Sequence, residues 1–298
     1  MSDEVTINDL TIKSPPRRNE FRRFLRVFLG RGVVVFGLVI LLFFVVVTIF
    51  APWIAPYDPY DNDVGNALLQ PSNSHFLGTD ILGRDILSRV IYGARTSLMI
   101  GLFVVGISTI VGTILGILAG YYGGWVYTVI MRLIDAYMAF PMIILALVVA
   151  SILGGGIKNV VIALSVAMMP GYARLMCGQA LSVKENDYIM AERSMGAANL
   201  RVMVRHVIPN CLSPLIVMVT MMIGSVILAE SGLSFLGVGI TPPTAAWGSM
   251  VNEGRPYLLS QPALSFAPGI AIMFAVFAFN MVGDGLRDAL DPSLRGIL

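Results

Sequence analysis

Few residues in this 298-residue chain carry reactive groups at a spacing that does chemistry. Arg132 and Asp135 stand i, i+3 on a helical stretch, the separation at which a cation and a carboxylate face one another, and read as a structural ion pair. Glu230 closes an apolar run that begins after Arg205. A carboxylate there either meets the solute path or a gate, or accepts hydrogen bonds from the "SGLS" that follows it. Met218, Met221 and Met222 supply adaptable packing that also suits a path tolerant of varied solutes. His75 and His206 are isolated, and the chain holds no H-E-x-x-H, no paired Cys/His spacing and no G-x-x-x-x-G-K-[ST] loop. The residues therefore assign no catalytic group, no metal site and no nucleotide cradle to this chain.

The elements that position these groups are membrane spans. Hydrophobic residues make up 56% of the chain and charged residues 13%, with a mean hydropathy of +0.80; soluble domains carry about 25% charged residues. Six intervals between charges are long enough to consider: Arg31–Asp58, Arg95–Arg132, Asp135–Lys158, Lys158–Arg174, Arg205–Glu230 and Arg255–Asp284. The fourth is short and spans only if its two cations snorkel. The first exceeds a signal-peptide core and follows a long polar tail, so it stays as a helix. Fifteen of the 20 Lys and Arg residues fall on one side if the N-terminus is cytoplasmic, which places both termini inside. The arginine-rich tail is a topological anchor, not a nucleic-acid surface. Cys177 and Cys211 are packing residues at inner helix ends.

These spans divide the chain into a tail (1–30), a first span (31–53), an outside insertion (54–94), a core of five spans (95–286) and a C-terminal tail (287–298). Within the core, 176–209 is an inside loop and 237–265 an outside one. The insertion begins with turn residues and continues into a helix capped by Asp80, with Ile81, Leu82, Ile86, Leu87 and Val90 on its apolar face. Asp80, Arg84 and Asp85, with Trp247 and Asn252 of the second outside loop, are candidates for contact with an external partner or for an outer gate. In the inside loop, Asn186 or Asp187 caps a short helix presenting Tyr188, Ala191, Glu192 and Met195. "GAAN" then breaks it at Gly196 and Ala197, and Asn199 caps a second helix with Leu200, Val204, Val207 and Ile208 on one face. The acidic and basic groups of "GDGLRDALDP" read as a helix end held by local pairs.

The segment Met190–Gly196 with Val207, Ile208 and Pro209 resembles the EAA loop of ABC importer permeases, with Met190 where that pattern has its first glutamate and Glu192 where it has its second alanine. "HFLGTDILGRDILSRVIYGARTSLMIG", "AESGLSFLGVGITPP", "WGSMVNEGRPYL" and "PGIAIMFAVFAFNMVGDGLRDALDPSLR" resemble the dipeptide, oligopeptide and nickel permeases, specifically the OppC/DppC-type subunit. The resemblance covers about residues 20 to 296. It implies an all-α inner-membrane permease of six spans. Its partners would be a second homologous permease, two ABC ATPase subunits that bind ATP and Mg, an extracytoplasmic solute-binding protein and membrane lipids. The loop carrying Asp187, Tyr188, Ala191, Glu192, Met195, Gly196 and Ala197 would be the coupling element on an ATPase. The solute would be a di- or oligopeptide, with nickel or metal chelates, glutathione or another small solute as the alternative. A stand-alone secondary transporter or channel would show an internal repeat and several buried charges on its path.

Overall fold

The computed structural model describes residues 20–290. The remainder of the two tails, with Lys13, Arg17, Arg18, Asp291 and Arg295, lies outside the described residues. Within them the chain is helical, with a single isolated bridge between Thr79 and Asp85 in place of a sheet.

A short α1 (Glu20–Leu29) leads into α2 (Gly32–Ile54), whose almost unbroken apolar sequence leaves most of its surface outward, as a lipid or partner-helix environment requires. From 55 to 85 the insertion has no regular helix beyond a 3-10 turn at Val64–Asn66, and its last residues belong to the next helix. Then α3 (Ile86–Tyr122) runs unbroken for 37 residues, about 55 Å at the helical rise. Asp85 caps it, accepting from the backbone N–H of Ser88 at 2.8 Å. The cap is therefore Asp85 and not Asp80. Asp80 instead holds the preceding turn, accepting from the N–H groups of Leu82 and Arg84, so Ile81 and Leu82 belong to that turn.

The third interval between charges is not one straight span. It forms α4 (Gly124–Met138) and α5 (Met142–Leu153), bent by 90° at the break before Pro141. The proline removes a backbone donor and disfavours helix at Phe140. Alone, α5 covers roughly 18 Å, short of the ~30 Å hydrocarbon layer. The described chain therefore has five helices long and apolar enough to cross a membrane, or six if the bent pair counts as one span.

The fourth interval extends well beyond Arg174, as α6 (Ile157–Lys184). A small connector, α7 (Asp187–Ser194) and α8 (Asn199–Val202), joins it to α9 (Ile208–Phe235). Beyond the outer loop, α10 (Trp247–Gly254) precedes α11 (Ala263–Leu290). Of the acidic groups expected to pair locally at the end of α11, Asp288 makes a longer contact, to Arg31 before α2.

The closest helix contact is α3 against α6. Gly112, Gly116 and Gly120 recur every fourth residue, and no Cβ fits at any of them. At Gly112 it would stand 2.6 Å from Tyr172 Cβ, at Gly120 2.7 Å from the carbonyl oxygen of Cys177, and at Gly116 it would meet the carbonyl of Ala173 closer still. Small residues at this spacing let two backbones approach where lipid offers no hydrophobic drive toward association. Around this seam lies the main core, which includes Val104, Leu164, Tyr172, Met176, Val226 and Leu233. Cys177 and Cys211 are buried and free.

Gly116→Leu is expected to separate α3 from α6 at a cost of ~1–3 kcal/mol or more, because overpacking here pushes on backbone and not on a flexible side chain. Gly178→Leu on the exposed face of α6, where a Cβ meets nothing within 4 Å, is the matched control. Thermal unfolding in detergent checks the pair: a lowered midpoint is expected for the first substitution and an unchanged one for the second.

Candidate functional site: the connector between α6 and α9

The connector opens with Asn186 in extended conformation; its side-chain amide donates to the carbonyl of Val183 and leaves the first turn of α7 uncapped. Asp187 and Arg193 sit at the ends of α7 where the helix dipole favours each. The helix stops in a Schellman turn. Ala197 N–H reaches the carbonyl of Glu192 at 3.2 Å, and Gly196 N–H reaches that of Arg193 at 3.0 Å. Gly196 has φ +85°, while a Cβ there would meet nothing within 4 Å. The corner thus requires glycine for its backbone conformation, and packing imposes no further demand.

Asn199 is the first residue of α8 and not its cap; Ala198 holds the extended cap position. A π turn at Met203–Val207 then feeds α9, with Ile208 N–H bonded to the carbonyl of Met203. Pro209, lacking a donor, follows at once. The wider turn lets Val202, Met203 and Val207 all face the core. Spacing alone predicts an ordinary helix there.

The connector has two faces of opposite character. Ile189, Val202, Met203 and Val207 are buried and join the main core beside Val183 and Ala180, with Ala197 half-buried against it. Asp187, Tyr188, Met190 and Ala191 point outward, as do Met195 at 80% exposure and Leu200 at 68%. Of the predicted presenting residues, Glu192 alone turns partly inward. Its Oε2 stands 2.8 Å from Nε2 of His206, without the alignment of a hydrogen bond. His206 is therefore not isolated in space. Fourteen residues separate it from Glu192, and no local pattern marks the pair. Ile189, Tyr121 and His206 are the connector's anchors that spacing did not reveal.

The comparisons with known proteins fall on this frame. Residues 112–296 match the family model described as the binding-protein-dependent transport system inner membrane component. Residues 19–71 match the N-terminal TM domain of oligopeptide transport permease C. The chain belongs to this family of transport permeases. The glutathione transport system permease protein GsiD of Escherichia coli O6:K15:H31 is 43% identical over 295 residues, covering 98% of this chain and 97% of that one. The protein of the same name from Pectobacterium atrosepticum is 42% identical over 292 residues, covering 97% and 95%. In structure the chain is similar to the MetNI methionine ABC transporter in inward-facing conformations, with a TM-score of 0.57, 17% identity, and coverage of 69% of this chain and 98% of that one. This last likeness shows the fold alone. The protein is thus an ABC importer permease of the OppC/DppC type, a multi-pass inner-membrane component. It has no catalytic role, and hydrolysis belongs to a separate ATPase subunit.

The permease's other predicted site residues are rearranged by the fold. Asp80 and Arg84 are buried, as are Asp85 and Trp247, which removes them from any surface a partner can touch. They form an interior latch. Arg84 Nε donates to Asp80 at 2.6 Å, and its Nη2 to Glu253 of α10 at 3.3 Å; Arg89 of α3 lies 3.4 Å from Asp80 and 3.6 Å from Glu253. Burial pushes the Glu253 carboxyl upward despite the opposing pull of Arg89 and Arg84. Asp85 holds His75 at 3.0 Å as well as capping α3. The indole of Trp247 donates to the carbonyl of Val90 at 2.9 Å and packs edge-on against Phe44. Asn252, on α10 beside Glu253, is only partly exposed.

The pair expected between Arg132 and Asp135 forms differently: Asp135 is bound at 2.5 Å by Arg174, because α4 lies against α6, and Arg132 is exposed. Glu230 of α9 is fully buried. Ser234 Oγ donates to its Oε1 at 2.8 Å and in turn accepts from Ile240 N–H, while Oε2 has no partner. The "SGLS" reading is the one the geometry realises. Met218 and Met222 both pack on the main core, Met218 toward Gly171 of α6, while Met221 lies against Gly283 of α11. They do not line one surface.

Gly196→Leu places a branched side chain at positive φ, at a cost of roughly 1–2 kcal/mol, whereas Gly196→Asn tolerates that region. The expected result is that both variants insert at normal abundance, and that transport driven by ATP in proteoliposomes falls in the Leu variant and persists in the Asn variant.

Proposed function

We propose that the connector is the coupling lever of this permease, seated on an ATPase subunit and carrying its motion into α6 and α9. The observation that supports this most strongly is the two-faced connector: an anchored inner face, and an outer face presenting Tyr188, Met190, Met195 and Leu200. Exposed apolar side chains on a polar, lipid-free loop mark a protein interface. Met190, in place of an acidic residue, makes that end of the seat apolar. ATP and Mg are held by the ATPases and not by this chain.

In this reading the connector and both termini are cytoplasmic, while 54–94 and 237–265 face outside, in keeping with the distribution of basic residues. The assembly contains one further homologous permease, two ATPases and an extracytoplasmic binding protein that delivers the solute. The solute is a short peptide. Glutathione, itself a peptide of three residues, is the first to test, since the relatives above carry its name.

Two measurements test the proposal. Met195→Cys is expected to crosslink to the ATPase and to be labelled from the cytoplasmic side only, and Asn66→Cys from the outside only. In proteoliposomes with the cognate partners, labelled glutathione should enter in an ATP-dependent manner, and competition with di- and oligopeptides ranks the solutes. A Met195→Cys that is labelled from outside, or never meets the ATPase, would overturn the coupling reading; uptake of none of these peptides would overturn the solute class.

A further inference from the structure

Besides its covalent ends and the buried face of Ile189, Val202, Met203 and Val207, the connector has a polar attachment to the bundle. Tyr121, the penultimate residue of α3, is 3% exposed. Its hydroxyl donates to Asn199 Oδ1 at 3.0 Å. The guanidinium of Arg193 lies over its ring, 5.7 Å from the centroid. Arg193 stands three residues before Gly196 and Asn199 three residues after it. One aromatic side chain therefore contacts both arms of the corner.

We infer that Tyr121 is the positioning residue of the lever, fixing the angle between α7 and α8 and passing the lever's displacement directly into α3. This rests on the coupling reading of the connector. Gly196 gives the corner its direction, but a Cβ there would meet nothing within 4 Å. Left alone, a Schellman turn followed by one extended residue is a hinge. A ring held by a hydrogen bond on one arm and a cation–π contact on the other closes that hinge. Because Tyr121 belongs to α3, force on the lever reaches the one helix that also ends, on the far side, in the Asp85 cap and the Arg89 latch. The Glu192–His206 contact ties α7 to the start of α9 and complements this clamp.

The test measures solute transported per ATP hydrolysed, with purified abundance and thermal midpoint as controls. Tyr121→Phe keeps the ring and loses the donor; a bond of ordinary net strength predicts about a two- to tenfold fall in that ratio. Tyr121→Leu, which loses the cation–π contact as well, should fall further. Asn199→Ala should match Tyr121→Phe, the double variant should be no worse than either, and Asn199→Asp, which still accepts the bond, should retain wild-type coupling. A merely structural tyrosine would lower abundance or midpoint and leave the ratio intact. Crosslinking of Met195→Cys to the ATPase is run in the same backgrounds. If the crosslink forms and both Tyr121 variants keep the wild-type ratio, the clamp is wrong and the lever stands. If the crosslink never forms, even with native Tyr121, the lever reading fails and the clamp falls with it.

Discussion

The backbone-to-backbone approach of α3 and α6 at Gly112, Gly116 and Gly120 is the constraint from which the other contacts follow. In lipid, two apolar helices gain little by meeting unless their surfaces fit closely, and three glycines at i+4 spacing remove every obstacle along one seam. The seam fixes two long helices as one bar. At one end of the bar, Asp85 caps α3 and holds His75 of the insertion, while Arg89 joins the insertion and α10 through Asp80 and Glu253. At the other end, α6 leads into α7, and Tyr121 of α3 meets both arms of the connector.

This arrangement explains why the buried charges are spent where they are. Desolvating two arginines and two carboxylates is costly, and the cost is tolerated only when the groups face one another. Their partners come from three separate segments: the turn before α3, α3 itself and α10. A latch of this kind contributes less to stability than to specifying which loop meets which helix. Alternating access in bundles of this sort rests on rigid parts rocking against one another. If the connector is the coupling lever proposed above, a long bar with that lever at one end and the latch at the other is such a part.

How much of this could be read in the residues depends on the range of each contact. The spans and the connector follow from local composition: charge-free intervals, a glycine that stops a helix, and apolar residues at helical spacing. Gly196 illustrates the local kind, since its role is set by its own φ. Asp135 illustrates the other kind. Its spacing from Arg132 pointed to a pair, but the bend at Pro141 lays α4 on α6, and Arg174 takes the carboxylate. Asp80, Arg84 and Trp247 looked like surface features because polar and aromatic residues in loops usually are; here the loops fold inward over the bundle. The glycine repeat of α3 acquires its meaning only from the helix it meets, and nothing in one sequence names that helix.

The central claim is that α3 and α6 move as one body while the lever is driven. Spin labels at Ile110 on α3 and Leu181 on α6, both on exposed faces, report it directly by pulsed dipolar spectroscopy on the assembled importer. A single distance that stays the same without nucleotide, with ATP bound and after hydrolysis is the predicted result. A distance that shifts or splits when ATP binds would mean that the glycine seam opens during transport, and the bar would not exist.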